Sequence, residues 1–201
     1  MSRAIHPIER ESYRILRSRV DLSHLPPLSR AVAERVIHAA ADVSFADSLV
    51  LDEPALRRGR EALVAGAPLF CDARMAAAGI TSRSPTVPIE DPCVADLARS
   101  ERLTRSAAAM RLAAAQAPEG GVWVVGNAPT ALAELVERPP PAPALVVGLP
   151  VGFVGAAEAK AALARSGLSC VTNRGERGGS AVAVAAVNAL IYFDADMDGG
   201  P

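Results

Sequence analysis

Gly121-Val122-Trp123-Val124-Val125-Gly126-Asn127-Ala128-Pro129-Thr130-Ala131-Leu132 decides the fold. Its apolar run between two glycines has no polar alternation, so it reads as a strand buried on both faces. Pro129 suits the first turn of a helix, where its missing N–H costs nothing. A strand entering a helix through a tight turn is half of a βαβ unit, and the pattern recurs on either side. Strands are expected at 67–71, 86–93 (weakened by Pro88), 144–148 and 168–172. Helices are expected at 72–78, 103–117, 129–137, 156–166 and 180–192. Such alternation predicts a three-layer α/β/α architecture with a doubly wound, mainly parallel sheet of about five strands.

Upstream lies an N-terminal helical segment. Residues 8–19 form an amphipathic helix with Ile8, Ile15 and Leu16 on one side. Ser29 is the expected N-cap of a helix running to Ala41, and 54–65 forms a third helix closed by Gly66. The triple proline at 139–141 is a stiff loop, because the alternation continues across it. Residues 1–193 therefore read as one α/β domain, and 194–201 as a disordered tail.

Composition narrows the partners. Half of the 201 residues are apolar but only 3% are aromatic, so stacking platforms for single-stranded nucleic acid are scarce. A formal net charge of −1 gives no bulk attraction to nucleic acid or an anionic membrane. No signal peptide is recognised, and no apolar run reaches the ~18–20 residues of a membrane span, so a cytoplasmic location is expected. Lys160 is the sole lysine among 21 cationic residues. A GC-rich genome produces such an arginine bias, and arginine is also the better carboxylate clamp. Cys71, Cys93 and Cys170 are far apart, lack metal or redox spacing, and read as buried reduced thiols.

With three histidines in the chain, neutral-pH proton transfer falls chiefly on His38. It lies in Arg35-Val36-Ile37-His38-Ala39-Ala40-Ala41-Asp42, one helical turn after Arg35. His6, near the N-terminus, and His24, in a proline-flanked loop, sit in weaker settings. Three glycine- or proline-bearing loops follow strands and open helices, at 126–132, 148–158 and 174–180. Such loops make tight turns, and helix N-termini also attract anions. Glycines at 148, 152 and 155 miss the dinucleotide spacing, and no phosphate-loop lysine motif or G-x-S-x-G elbow occurs. Ser180 is best explained as an N-cap. Asp42, Asp47, Asp52 and Asp72 are too scattered for a metal. Arg105 opens a small-residue helix against its macrodipole, a conflict that a shared anionic ligand would relieve. Thr81-Ser82-Arg83 adds donors. One imidazole and several anion clamps suit an isomerase acting on a polyanionic metabolite.

Several segments together resemble one family. They are Arg35-Val36-Ile37-His38, Gly66-Ala67-Pro68 through Cys71-Asp72 to Met75, Thr104-Arg105-Ser106-Ala107, Gly126-Asn127-Ala128-Pro129-Thr130-Ala131-Leu132, Pro150-Val151-Gly152-Phe153-Val154-Gly155-Ala156 and Gly178-Gly179-Ser180. On these residues the chain resembles the precorrin-8X methylmutases (precorrin isomerases) of cobalamin biosynthesis, from about Ile8 to Ile191. The resemblance implies a cofactor-free methyl migration on ring C of precorrin-8X or cobalt-precorrin-8, giving hydrogenobyrinic or cobyrinic acid. It implies His38 as proton donor, with Ser12, Arg35, Thr81, Arg83 and Arg105 around the carboxylated tetrapyrrole. It also implies a homodimer with the site near the subunit interface. The chain departs from the pattern at Glu158-Ala159-Lys160, where the family usually has Glu-Ser-Lys, and at 84–102. The rival readings are a non-catalytic tetrapyrrole carrier and an α/β enzyme binding a phosphorylated metabolite.

Overall fold

The computed structural model describes residues 6–194, so all but the first residue of the expected tail lies outside the described residues. The elements run α1 (Pro7–Arg19), α2 (Pro27–Ala40), α3 (Phe45–Ser48), β1 (Leu49–Val50), α4 (Glu53–Val64), β2 (Leu69–Cys71) and α5 (Arg74–Ala78). A 3-10 turn at Pro88–Glu90 leads to α6 (Val94–Ser100), α7 (Arg105–Gln116), β3 (Val122–Val125), α8 (Pro129–Glu137), β4 (Leu145–Gly148), α9 (Ala156–Arg165), β5 (Cys170–Asn173) and α10 (Ser180–Tyr192).

The strands form one five-stranded sheet in the order β1-β5-β4-β3-β2. Strands β2 to β5 are parallel, and β1 runs antiparallel along β5. The pleat divides the core. Leu69, Cys71, Val122, Val124, Leu145, Val147 and Val171 join the layer of α2, α4 and α10. Phe70, Trp123, Val125 and Val146 join that of α7, α8 and α9. The sheet is thus covered on both sides, as its unbroken apolar strands require, and the three-layer α/β/α class agrees with the sequence reading.

In the first half of the chain two local expectations fail. Residues 86–93 are not a strand: only Thr86 pairs with Phe70, and the 3-10 turn begins at Pro88. Pro88 supplies no N–H to a ladder, which stops the pairing there. Cys93 is consequently exposed, whereas Cys71 is buried and Cys170 partly buried. Ser29 is not an N-cap either. Helix α2 starts three residues earlier behind Pro26, which offers no capping side chain. Glu53 at the start of α4 does that work instead, accepting from the N–H groups of Leu28 (3.0 Å) and Ser29 (2.8 Å) and from the Ser29 hydroxyl (2.7 Å).

The turn from β5 into α10 is held by Lys160, which is 1% exposed. Its ammonium donates to Asn173 Oδ1 (3.0 Å) and to the Arg177 carbonyl (2.6 Å). Burial, helped by the Arg177 charge, lowers its pKa from 10.5 to about 8. Native Lys160 therefore sheds its proton near pH 8, while the unfolded chain keeps one until about 10.5. Between those values the unfolded state binds more protons, so this group's contribution to stability rises with pH. Urea unfolding should show the wild type gaining on Lys160→Met by about 2 kcal/mol between pH 8 and 10; parallel pH profiles would refute the shift.

Candidate active site

A cavity of about 790 Å³ opens among α1, α2, α5 and α10. Its size falls in the ~300–1,000 Å³ range of small-molecule sites. Helix α1 contributes Ile8, Glu9 and Ser12, and α2 contributes Arg35, His38 and Ala39. Helix α10 supplies a largely apolar wall of Ala181, Val184 and Ala185, with Ser180 and Asn188 at its ends.

His38 sits in the last turn of α2. The helix stops three residues later because Ala41 turns into the left-handed region (φ 52°), and its N–H and that of Asp42 close on the His38 and Ile37 carbonyls. The imidazole is fixed from two sides. Nδ1 pairs with Ser12 Oγ at 2.9 Å. Tyr13 stacks on the ring, with centroids 4.9 Å apart and planes 11° from parallel. Nε2 is therefore the nitrogen left for a ligand. Helix α1 is tied in register by a paired ion contact, in which Arg17 donates from Nε and Nη2 to the two carboxylate oxygens of buried Glu34, both at 2.8 Å. Arg35 also faces the cavity, with its guanidinium carbon 5.9 Å from the centre of the Tyr192 ring.

Ser12, Arg35 and His38 thus meet in one chain, and the other three expected site residues do not join them. Thr81 is exposed on the loop after α5. Arg83 donates to the Leu63 and Ala67 carbonyls at the entrance of β2. Arg105 is the exposed first residue of α7, on the opposite layer from α2. Its N-cap, Thr104, bonds Thr130 at the start of α8 (2.7 Å).

Sequence reasoning missed other wall residues. His6, set aside as poorly placed, caps α1 by accepting from the Ile8 N–H and also lines the cavity. Ser180 is the first residue of α10, not its N-cap, which is Gly179. Tyr13 beside Ser12 was the one legible signal, since adjacent helical residues can clasp a ring from two sides. Asn188 gave none, lying eight residues from Ser180 in an apolar helix. Among the described residues, no group of three or more His, Cys, Asp and Glu side chains is placed to hold a metal. No helix among them is long and apolar enough to cross a membrane.

Comparison with known proteins gives this arrangement its context. The family model for precorrin-8X methylmutase matches residues 7–193. The precorrin-8X methylmutase of Pseudomonas aeruginosa is 45% identical over 194 residues, covering 91% of this chain and 93% of that protein. The cobalt-precorrin-8 methylmutase of Salmonella typhimurium is 40% identical over 197 residues, covering 92% and 93%. The crystal structure of the Thermus thermophilus precorrin-8X methylmutase superposes with a TM-score of 0.83 at 36% identity, covering 96% of this chain and all of that one. Fold and relatives define an α/β isomerase of the methylmutase class. The chain belongs to the precorrin-8X methylmutase family.

The placement of His38 depends on where α2 begins, and Glu53 sets that point. Glu53→Ala leaves two N–H groups and a hydroxyl without their acceptor and removes a negative charge from the helix N-terminus. It should lower the unfolding free energy by about 1–2 kcal/mol in urea titrations. An unchanged midpoint would show that this clamp does not hold α2.

Proposed function

We propose that this chain moves a methyl group between neighbouring carbons of ring C of precorrin-8X, or of its cobalt-containing counterpart, to give hydrogenobyrinic or cobyrinic acid in cobalamin biosynthesis. The observation that carries this reading is the His38–Ser12 pair on the wall of a cavity of about 790 Å³. In this reading His38 Nε2 protonates the conjugated macrocycle. The bond from the methyl group to its first carbon breaks as the bond to the neighbouring carbon forms, and the proton then returns to His38. Atoms and electrons balance within the substrate, so the reaction calls for no cofactor. The Ser12 hydroxyl accepts from Nδ1–H in the imidazolium and again in the neutral tautomer left when Nε2 gives up its proton, so one contact serves both protonation states. Tyr13 holds the ring plane throughout. The apolar wall of α10 suits the face of a tetrapyrrole, and Arg35 suits one of its carboxylate arms.

Thr81, Arg83 and Arg105 complete the proposed substrate shell by their family resemblance. Arg83 acts there by holding the 81–86 loop to the entrance of β2. Because Arg105 lies on the other layer, its contact with the ligand is assigned to a second copy of the chain in a homodimer. The reaction is placed in the cytoplasm.

Mixing substoichiometric protein with precorrin-8X should shift the visible spectrum completely, because the product has a different conjugation. A carrier would shift only a stoichiometric fraction. His38→Ala should lose turnover by about 10²-fold or more while still binding the tetrapyrrole. Normal turnover in that variant would end the assignment.

Arg105→Ala should weaken binding of the carboxylated substrate by about tenfold, the scale of one hydrogen-bonded charge. An unchanged dissociation constant would remove Arg105 from the site.

A further inference from the structure

Helix α10, 13 residues long, begins without a capping side chain. Its N-cap is Gly179, at φ 126°, so no side chain closes its first turn, and that turn carries no acidic residue. The first N–H groups of a helix have no partner within it, and they carry its partial positive charge. Ser180, the first residue, is 7% exposed, and its hydroxyl is buried without a hydrogen-bond partner. A hydroxyl in that condition costs free energy unless something arrives to pair with it.

The start of α10 is also rigidly seated. The Gly179 N–H donates to the Leu149 carbonyl at 2.8 Å. A side chain at Gly178 would fall 2.3 Å from that same carbonyl oxygen, and one at Gly126 would fall 2.7 Å from the Ser180 Cα. Two glycines thus let three backbone segments close around one point. Ser180 and Ala181 both line the cavity that holds His38 and Arg35. Unpaired N–H groups, an unpartnered hydroxyl and a neighbouring cavity come together where the substrate is proposed to lie.

We propose that Ser180 and the N-terminus of α10 form a carboxylate subsite that receives one acidic arm of the tetrapyrrole. The hydroxyl donates to one carboxylate oxygen, and the first-turn N–H groups of α10 donate to the other. The arm anchors the macrocycle along Ala181, Val184 and Ala185, which orients it against His38 on the neighbouring helix. This proposal rests on the tetrapyrrole reading of the cavity and adds to it a residue that serves as an anchor without touching the migrating methyl group.

The test is a pair of binding titrations followed by the change in visible absorbance. One uses hydrogenobyrinic acid and the other its fully esterified form, each against wild type, Ser180→Ala and Ser180→Asp. Wild-type protein that binds neither compound would overturn the tetrapyrrole reading itself. If it binds, Ser180→Ala should raise the Kd of the acid by about tenfold and leave that of the ester within about twofold. The thermal midpoint of the empty variant should not fall, because the lost hydroxyl had no partner. Ser180→Asp places a carboxylate where a helix start favours one, so the fold is kept while acid binding is lost by more than tenfold. The subsite is refuted if either variant binds the acid as wild type does. It is refuted equally if Ser180→Ala weakens acid and ester alike, or if it lowers the midpoint as the loss of a structural cap would.

Discussion

One buried carboxylate organises the ligand-binding edge of the sheet. Asp72 leaves β2 at 1% exposure and accepts from the N–H groups of Gly126 (3.1 Å), Asn127 (2.8 Å) and Ala128 (2.8 Å). Burial raises its pKa, and the three N–H groups pull in the opposite direction by favouring the charged form. The contact fixes the loop after β3, from which α8 begins. It also fixes Gly126, whose bare Cα lets the start of α10 come close. Helix α10 packs extensively on α2, and α2 packs on α1. The wall carrying His38 is therefore positioned by a chain of contacts that starts at a side chain outside the cavity.

The two layers divide the labour. On one side α7, α8 and α9 connect successive parallel strands, and their contacts are those of a scaffold. On the other, α2, α4 and α10 cover the sheet, and α2 and α10 share the cavity with α1 and α5. Glu53 serves the second layer from within it, on α4, and Lys160 serves it from α9 on the other side of the sheet. The first closes the start of α2 and the second ties down the turn into α10. Both are charged groups placed where backbone lacks partners, so loss of either disturbs the site without touching it.

The parts of the fold legible in sequence are those with a strong physical signature. Strands β3 and β4 read clearly because burial on both faces removes polar alternation, and α8 and α10 were recognised with their observed ends. Strand β1 was illegible: two residues at an antiparallel edge leave no period to detect. Residues 86–93 misled because an apolar run next to a true strand looks alike whether it pairs along its length or at Thr86 alone. Ser29 misled because its hydroxyl is used by a carboxylate 24 residues away, a tertiary contact that no capping rule contains. In the site, His38 stood out by scarcity and helical setting. Ser12 and Arg35 entered by family resemblance, and the structure gathers them beside it. The separation of Arg105 was invisible, since its helix position was read correctly while the layer it occupies depends on the crossover.

Two of the three buried, unpartnered side-chain polar atoms among the described residues lie at the cavity. Elsewhere several charged groups that leave water are fully partnered: Lys160 has two partners, Asp72 three and Glu34 a paired arginine, although Arg60 Nε on α4 is buried without one. Along the α10 wall, Ser180 Oγ and Asn188 Oδ1 have none. Local inconsistency of this kind concentrates where a protein meets its ligand, because a site satisfied on its own has nothing left to offer. The same logic explains why His38 makes one hydrogen bond and one stacking contact and leaves Nε2 without a partner among the described residues. A ring held on every side would be a structural residue, and a ring held on none would lose the orientation that proton transfer requires. One hydrogen bond and one stacking contact, both from α1, satisfy both demands, and the Arg17–Glu34 pair secures α1 to α2 so that they hold.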